Sequence, residues 1–259
     1  MPRTDEDVLL TLYKYRSLSG VYGRPAAVDI VRNSRLYWQS PLAFNDPFDC
    51  NPVMAFGYSA SAREAFVDRV ISTHMNSAPR SARRRKKREL RAVGPSKHES
   101  DMKQSFREWM TESAVTCFSD VKDSILMWAH YADSHRGVCF IFREIIKPQP
   151  WIAMDVVYSS ERHPVDMTEL AVVQNFERSV LHKAIDWQYE REKRMIDYRK
   201  PPGPRSFPRE ALIGAIYGDR ISDDDRAFMD DLLVSRPDLK RYNAKIDDRF
   251  FRVNVSPAQ

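Results

Sequence analysis

Glycine is scarce in this chain, at 8 of 259 residues, roughly half the usual share of about 7%. Neither G-x-G-x-x-G nor G-x-x-x-x-G-K-[ST] occurs. The backbone prerequisites of a Rossmann dinucleotide loop and of a Walker phosphate loop are therefore missing. Apolar runs are short, such as 138–142 (VCFIF) and 211–217 (ALIGAIY), well below the roughly 20 residues that cross a bilayer. The three cysteines, Cys50, Cys117 and Cys139, are scattered, odd in number and never in a C-x-x-C pair. That pattern argues against a zinc knuckle and fits free thiols in a reducing compartment. Residues 1–7 carry three acids and no apolar stretch, so no secretory leader is expected and the chain reads as cytoplasmic, with no membrane partner. No repeat with a period of 20 to 50 residues is visible.

What is present suits one hydrophobic core. The chain is 42% hydrophobic and 11% aromatic, and its length lies at the upper edge of what a single domain supports. The formal charge of +5 is concentrated rather than general. Nine bases lie between Arg80 and Lys97, including Arg83, Arg84, Arg85, Lys86, Lys87 and Arg88, against one acid, Glu89. Outside that segment 32 bases face 35 acids, a net of −3. The run offers a salt-dependent, sequence-indifferent contact to phosphate backbones. It equally fits a solvated, flexible surface insertion over 76–100, and it has no interleaved aromatics for base stacking.

Periodicity gives strands at 9–16 (LLTLYKYR) and 35–40 (RLYWQS), and helices at 26–33, 61–74 and 102–111. A strand is expected at 114–118 (AVTCF), then a helix at 125–132 (ILMWAHYA) capped by Asp123 or Ser124 and broken at Gly137. The unbroken apolar run 138–142 reads as a buried strand. Further strands are expected near 152–158, 194–198 and 250–255, and helices over 166–185 and 223–234. Strands and helices alternate without a βαβ period. The expectation is a single α+β domain with a mixed or antiparallel central sheet and flanking helices.

Candidate sites follow from side-chain chemistry. Arg16, with Tyr37, Trp38 and Ser40, pairs a phosphate-holding guanidinium with rings that stack on a base; Tyr and Trp are also ordinary formers of a half-buried strand. Asn45, Asp46 and Asp49 gather two carboxylates and an amide around a proline, which orients a substrate or builds a turn. They lack the further ligands that a metal needs, and no metal is expected. Trp128, His130 and Tyr131 lie on one short helix, where a core aromatic pair with a satisfied histidine competes with a catalytic role. In 187–194 (WQYEREKR), an extended backbone would put Glu190 and Glu192 on one side, with Arg191 and Lys193 opposite. Two such carboxylates suit a site where one meets a developing positive centre, whereas a helical backbone would make a solvated charged run.

The blocks LYKYRS, LYWQSPLAFNDPFDC, CFSD…LMWAHYADSHRGVCFIF and K-x-x-x-W-x-Y-E-x-E-x-R together resemble an uncharacterised bacterial family called domain of unknown function 2971, over most of residues 9–222. That resemblance brings no activity. The order Arg16, Ser40, Glu190-x-Glu192 is in turn similar to the arginine, serine, glutamate-x-glutamate order of ADP-ribosyltransferases. It implies that Arg16 holds NAD phosphates, Ser40 supports the nicotinamide ribose and Glu192 stabilises the oxocarbenium-like centre. Glu190 would orient the acceptor, and Tyr37 and Trp38 would stack. The superfamily's Ser-Thr-Ser is here Trp38-Gln39-Ser40. The leading expectation is an NAD-consuming ADP-ribosyltransferase-like enzyme, such as a toxin or phage-defence effector, acting on a nucleic acid or protein. The alternative is a non-catalytic nucleic-acid-binding or partner-binding protein that uses the basic segment.

Overall fold

In the computed structural model, residues 10–55, 60–93, 95–162, 164–166 and 172–258 are described. The chain begins with β1 (Thr11–Arg16), α1 (Gly20–Val31), β2 (Arg35–Trp38) and β3 (Val53–Ala55). Three helices follow, α2 (Ala60–His74), α3 (Arg80–Ala92) and α4 (Pro95–Thr111), then β4 (Ala114–Ser119), α5 (Ile125–Tyr131) and β5 (Val138–Arg143). Four short pieces come next: β6 (Met154–Asp155), β7 (Val157–Ser159), β8 (Pro164–Asp166) and, after α6 (Val172–Leu181), β9 (His182–Ala184). The chain closes with β10 (Glu192–Asp197), β11 (Gly203–Ser206), β12 (Leu212–Tyr217), α7 (Asp223–Val234), β13 (Lys240–Ile246) and β14 (Val253–Pro257).

Among the described residues, eight strands form one sheet in the order β14-β13-β12-β5-β1-β4-β10-β6. Only β12 and β13 run parallel within it. The architecture is the expected α+β, with a mixed sheet flanked by helices. β5 lies near the middle, covered on both faces, which accounts for its unbroken apolar run. Phe140 and Phe142 pack with Ile30 and Val31 of α1 and Leu232 and Leu233 of α7. Cys139 and Ile141 join Met127 and Trp128 of α5 on the other face. Each such buried large apolar side chain contributes about 1.5–3 kcal/mol relative to exposure. Trp128 is fully buried, edge-on to Tyr15 at 5.1 Å, and its Nε1 donates to Lys122 O at 2.9 Å.

The feature that makes room for a site is a parting of the sheet. β1 and β4 are joined at one residue pair, Tyr13 and Ser119. Towards Arg16 the two strands separate, and Val115 of β4 exchanges backbone hydrogen bonds instead with Gln39, just after β2, at 2.9 and 2.8 Å. Lys14 spans the gap, its Nζ donating to Cys117 O at 2.6 Å and to Thr116 Oγ1 at 3.0 Å.

Several expectations need correction. The stretch 76–100, to which periodicity assigned no element, contains α3 and the start of α4, and α3 packs against α2. Ion pairs Lys87–Asp68 and Arg91–Glu64 join the two helices, giving the basic run partners that periodicity alone did not show. The long helix expected over 166–185 is shorter: α6 ends at Leu181, β9 follows, and a 3-10 helix covers Ile185–Glu190. Residues 167–171 of that expectation, like residues 1–9, lie outside the described residues.

Candidate active site

The parted strands enclose a cavity of about 340 Å³ whose lining includes Lys14, Arg16, Tyr37, Asp49, Tyr131, Lys183, Glu190, Glu192 and Arg194. Its floor is an ion-pair cluster built from four parts of the chain. Arg194, fully buried on β10, donates to both oxygens of Asp49 (Nη1–Oδ1 2.9 Å, Nη2–Oδ2 2.6 Å). It also donates to both oxygens of Glu192 (Nε–Oε1 2.8 Å, Nη2–Oε2 2.9 Å). Lys183, on β9, donates to Glu190 Oε2 and to Glu192 Oε2, the latter at 3.0 Å, and lies 3.7 Å from Asp49 Oδ2. The Tyr131 hydroxyl donates to Glu190 Oε1 at 2.5 Å. Planar guanidinium–carboxylate forks of this kind fix geometry as well as charge.

Glu190 and Glu192 do converge, but not as alternate residues of one strand. Glu190 ends the 3-10 helix, Arg191 takes a left-handed conformation (φ 43°), and Glu192 begins β10. The end of β4 fixes that corner: Ser119 Oγ donates to Glu190 O at 2.6 Å, and Asp120 N donates to Arg191 O at 3.2 Å. The β alternation then places Glu192 and Arg194 together, while Lys193 bonds Asp155 and Arg191 reaches Asp120.

The electrostatics separate the two acids. Burial works to raise the Glu192 carboxyl, but the Arg194 guanidinium and Lys183 beside it prevail and hold it at about 2. Burial raises the Glu190 carboxyl above its ordinary value, against the pull of Lys183. On the opposite wall, burial and then the neighbouring Arg16 charge lower Lys14 to about 7. Burial also lowers Arg16, whose Nε is buried without a hydrogen-bond partner. Burial, with Glu192 next to it, pushes the Cys117 thiol up, so it stays protonated and is a poor nucleophile.

The other candidates are placed as follows. Asn45 lines the cavity. Asp46 accepts from Trp187 Nε1 at 2.7 Å and from Phe48 N at 2.8 Å, making a turn. Trp38 is not a lining residue of the cavity; it packs on the core with the Arg205 guanidinium 5.0 Å above its ring. Ser40 also lies off the cavity, and its Oγ accepts from Leu42 N at 3.3 Å to cap a 3-10 turn. His130 is exposed and shares a 3.0 Å hydrogen bond with the Tyr189 hydroxyl. Arg83, Arg84, Arg85, Lys86, Lys87 and Arg88 all lie on α3, away from this cavity. Residue-by-residue reasoning gave no role to Lys14, Lys183 or Arg194. The signal for two of them stood in K-x-x-x-W-x-Y-E-x-E-x-R, whose first and last residues are Lys183 and Arg194, the two cations of the cluster.

The fold and the cluster define an α+β protein with a charged cleft at a parted sheet. The sequence model of the family described as "Protein of unknown function (DUF2971)" matches residues 127–195, the segment from α5 to the cluster, and bears out the resemblance there. No curated protein and no solved structure matches the chain at a significant level. Among the described residues, no group of His, Cys, Asp and Glu is arranged to hold a metal, and no helix is long and apolar enough to cross a membrane.

Proposed function

We propose that the chain is an NAD-consuming enzyme of the ADP-ribosyltransferase type, with the nicotinamide-side half of NAD bound between β1 and β4. The observation that carries the reading is that Arg16, Tyr37, Glu190 and Glu192, far apart in sequence, line one cavity. Its volume of about 340 Å³ is at the lower end of ligand pockets, roughly 300–1,000 Å³, which suits a mononucleotide half. NAD is a substrate here, and the residues fit it. The unpaired Arg16 Nε and the neighbouring Lys14 ammonium offer donors to phosphate oxygens. Tyr37, 56% exposed at the mouth, offers a ring face.

The opposite wall favours positive charge. Three carboxylates, Asp49, Glu190 and Glu192, meet two cations, Lys183 and Arg194, so full ionisation leaves one negative charge in excess where water is scarce. A fixed anion is worth most there against a charge that develops during reaction. In the step, the bond between ribose C1′ and the nicotinamide nitrogen breaks, and its electron pair leaves with neutral nicotinamide. An acceptor lone pair then bonds to C1′, and the acceptor proton passes to Glu190. Glu192, held at about 2, stays ionised beside the oxocarbenium-like centre; Glu190, raised by burial, is the proton acceptor.

Incubation with NAD labelled in the nicotinamide ring should release free labelled nicotinamide. Glu192→Gln, which removes the anion beside the centre formed as nicotinamide leaves, should slow that release about a hundredfold while retaining NAD affinity. Equal rates from the two proteins, or no NAD bound by either, would remove the reading.

A further inference from the structure

We infer that the acceptor of this transfer is a single-stranded nucleic acid laid in a groove from the α4 rim to the wall of the cleft, an inference that rests on the enzymatic reading above. Three hollows in the surface meet around the loop 44–52. One of about 460 Å³ shares Lys183 with the cleft. Another, of about 1070 Å³, shares Asn51, Pro52 and Arg162 with the first. Shared lining residues set the hollows side by side along one path over the surface, which comes up against the cluster at Lys183, the buried residue that holds Glu190.

The path carries the chemistry of a strand-binding groove. Lys103 and Arg107 of α4 line its far end, Arg162 its middle, and Arg178 its near end. Among the described residues, the acids lining it are Asp46, Asp49 and Glu161. Two of those are already engaged, Asp46 by Trp187 and Asp49 by Arg194. Phe48 stands on the path, 61% exposed, with the Arg162 guanidinium 5.6 Å over its ring. A basic channel with an exposed aromatic step is how proteins hold single strands, because every base has a face to stack while the phosphates follow the cations. The ring that the basic run lacks in sequence is thus supplied by a distant loop. α3, with its concentration of arginine and lysine, ends at Ala92, four residues before Ser96 at the groove rim, and extends the positive field beyond it. A duplex hides its base faces and gains nothing from Phe48.

The test uses the full chain and fluorescein-labelled 20-mers of single-stranded RNA, single-stranded DNA and duplex DNA, read by anisotropy. At least one single strand should bind more tightly than the duplex, and log affinity should fall linearly with log salt. Phe48→Ala and Arg162→Ala should each weaken single-strand binding about tenfold. Both side chains are largely exposed, so a loss of fold does not confound the result. The RNA and DNA arms distinguish the source of the strand, and preference for either supports the inference. Absence of single-strand binding, equal binding of duplex, or unchanged affinity in both variants would overturn it. NAD affinity, measured on the same preparations, is expected to be unchanged in both variants. An inability of the wild type to bind NAD would sink the enzymatic reading and, with it, the acceptor role, and would be told apart from a groove failure by the intact strand binding.

Discussion

At the residue scale, Arg194 decides whether the cluster holds. Its fully buried guanidinium compensates Asp49 and Glu192, themselves nearly buried at the floor of the cleft. Removing one partner from a buried set leaves uncompensated charge, at a cost of about 3–5 kcal/mol. Arg194→Met should therefore lower unfolding free energy by that amount in a urea titration; a loss below about 1 kcal/mol would contradict the burial described here. Lys14 gives the pH dependence. Its folded value of about 7 lies below the unfolded value of about 10.4. Between these values the unfolded chain binds the extra proton, so this residue makes stability rise with pH across that window and leaves it flat below. Lys14→Met should flatten the rise in melting temperature between pH 7 and about 10. An unchanged slope would show that another group is responsible. Anion binding beside Lys14 should also be accompanied by proton uptake at pH 8, read by calorimetry in buffers of different ionisation enthalpy.

At the element scale, the turn between α5 and β5 sets the position of Arg16. Asp133, Ser134 and His135 take positive φ in succession (48°, 52° and 69°), and the chain then passes Gly137 hard against β1. A Cβ on Gly137 would fall 2.1 Å from Arg16 O, so Gly137→Ala must push the end of β1 aside. The expected result is a loss of about 1–3 kcal/mol in stability together with weakened NAD binding, and normal values of both would contradict this packing. Elements were legible in the sequence where burial dictated the pattern. The run 138–142 emerges as β5 because a two-sided core demands apolar residues at every position, and the helix expected at 125–132 emerges as α5, capped by Ser124 Oγ accepting from Met127 N at 3.3 Å. The paired acids were legible as a site but not in their geometry. An Arg191 with φ 43° joins a 3-10 helix to a strand, and nothing in its side chain announces a left-handed backbone. Likewise no helix was expected over 76–100, because α3 exposes charge on nearly every side and relies on Asp68 and Glu64 of α2, a long-range pairing that composition conceals.

At the scale of the whole molecule, the cleft exists because one sheet is built as two parts. β14 to β1 form one side and β4, β10 and β6 the other, with one residue pair between β1 and β4 before they part. Gln39 takes the edge of β4 that β1 leaves, and the ends of β1, β2 and β10 bring Arg16, Tyr37 and Glu192 to the same opening. Cations then line one wall and an acid-rich cluster the other, an arrangement suited to a substrate with phosphates at one end and a developing positive centre at the other. Calorimetric titration of NAD into the wild type and into Arg16→Ala at pH 6.5, where Lys14 is charged, tests that claim most directly. The predicted result is saturable binding by the wild type and at least tenfold weaker binding by the variant, the loss of about 1.4 kcal/mol or more expected for a charge-assisted contact. Identical isotherms for the two proteins, or no binding by either, would contradict it.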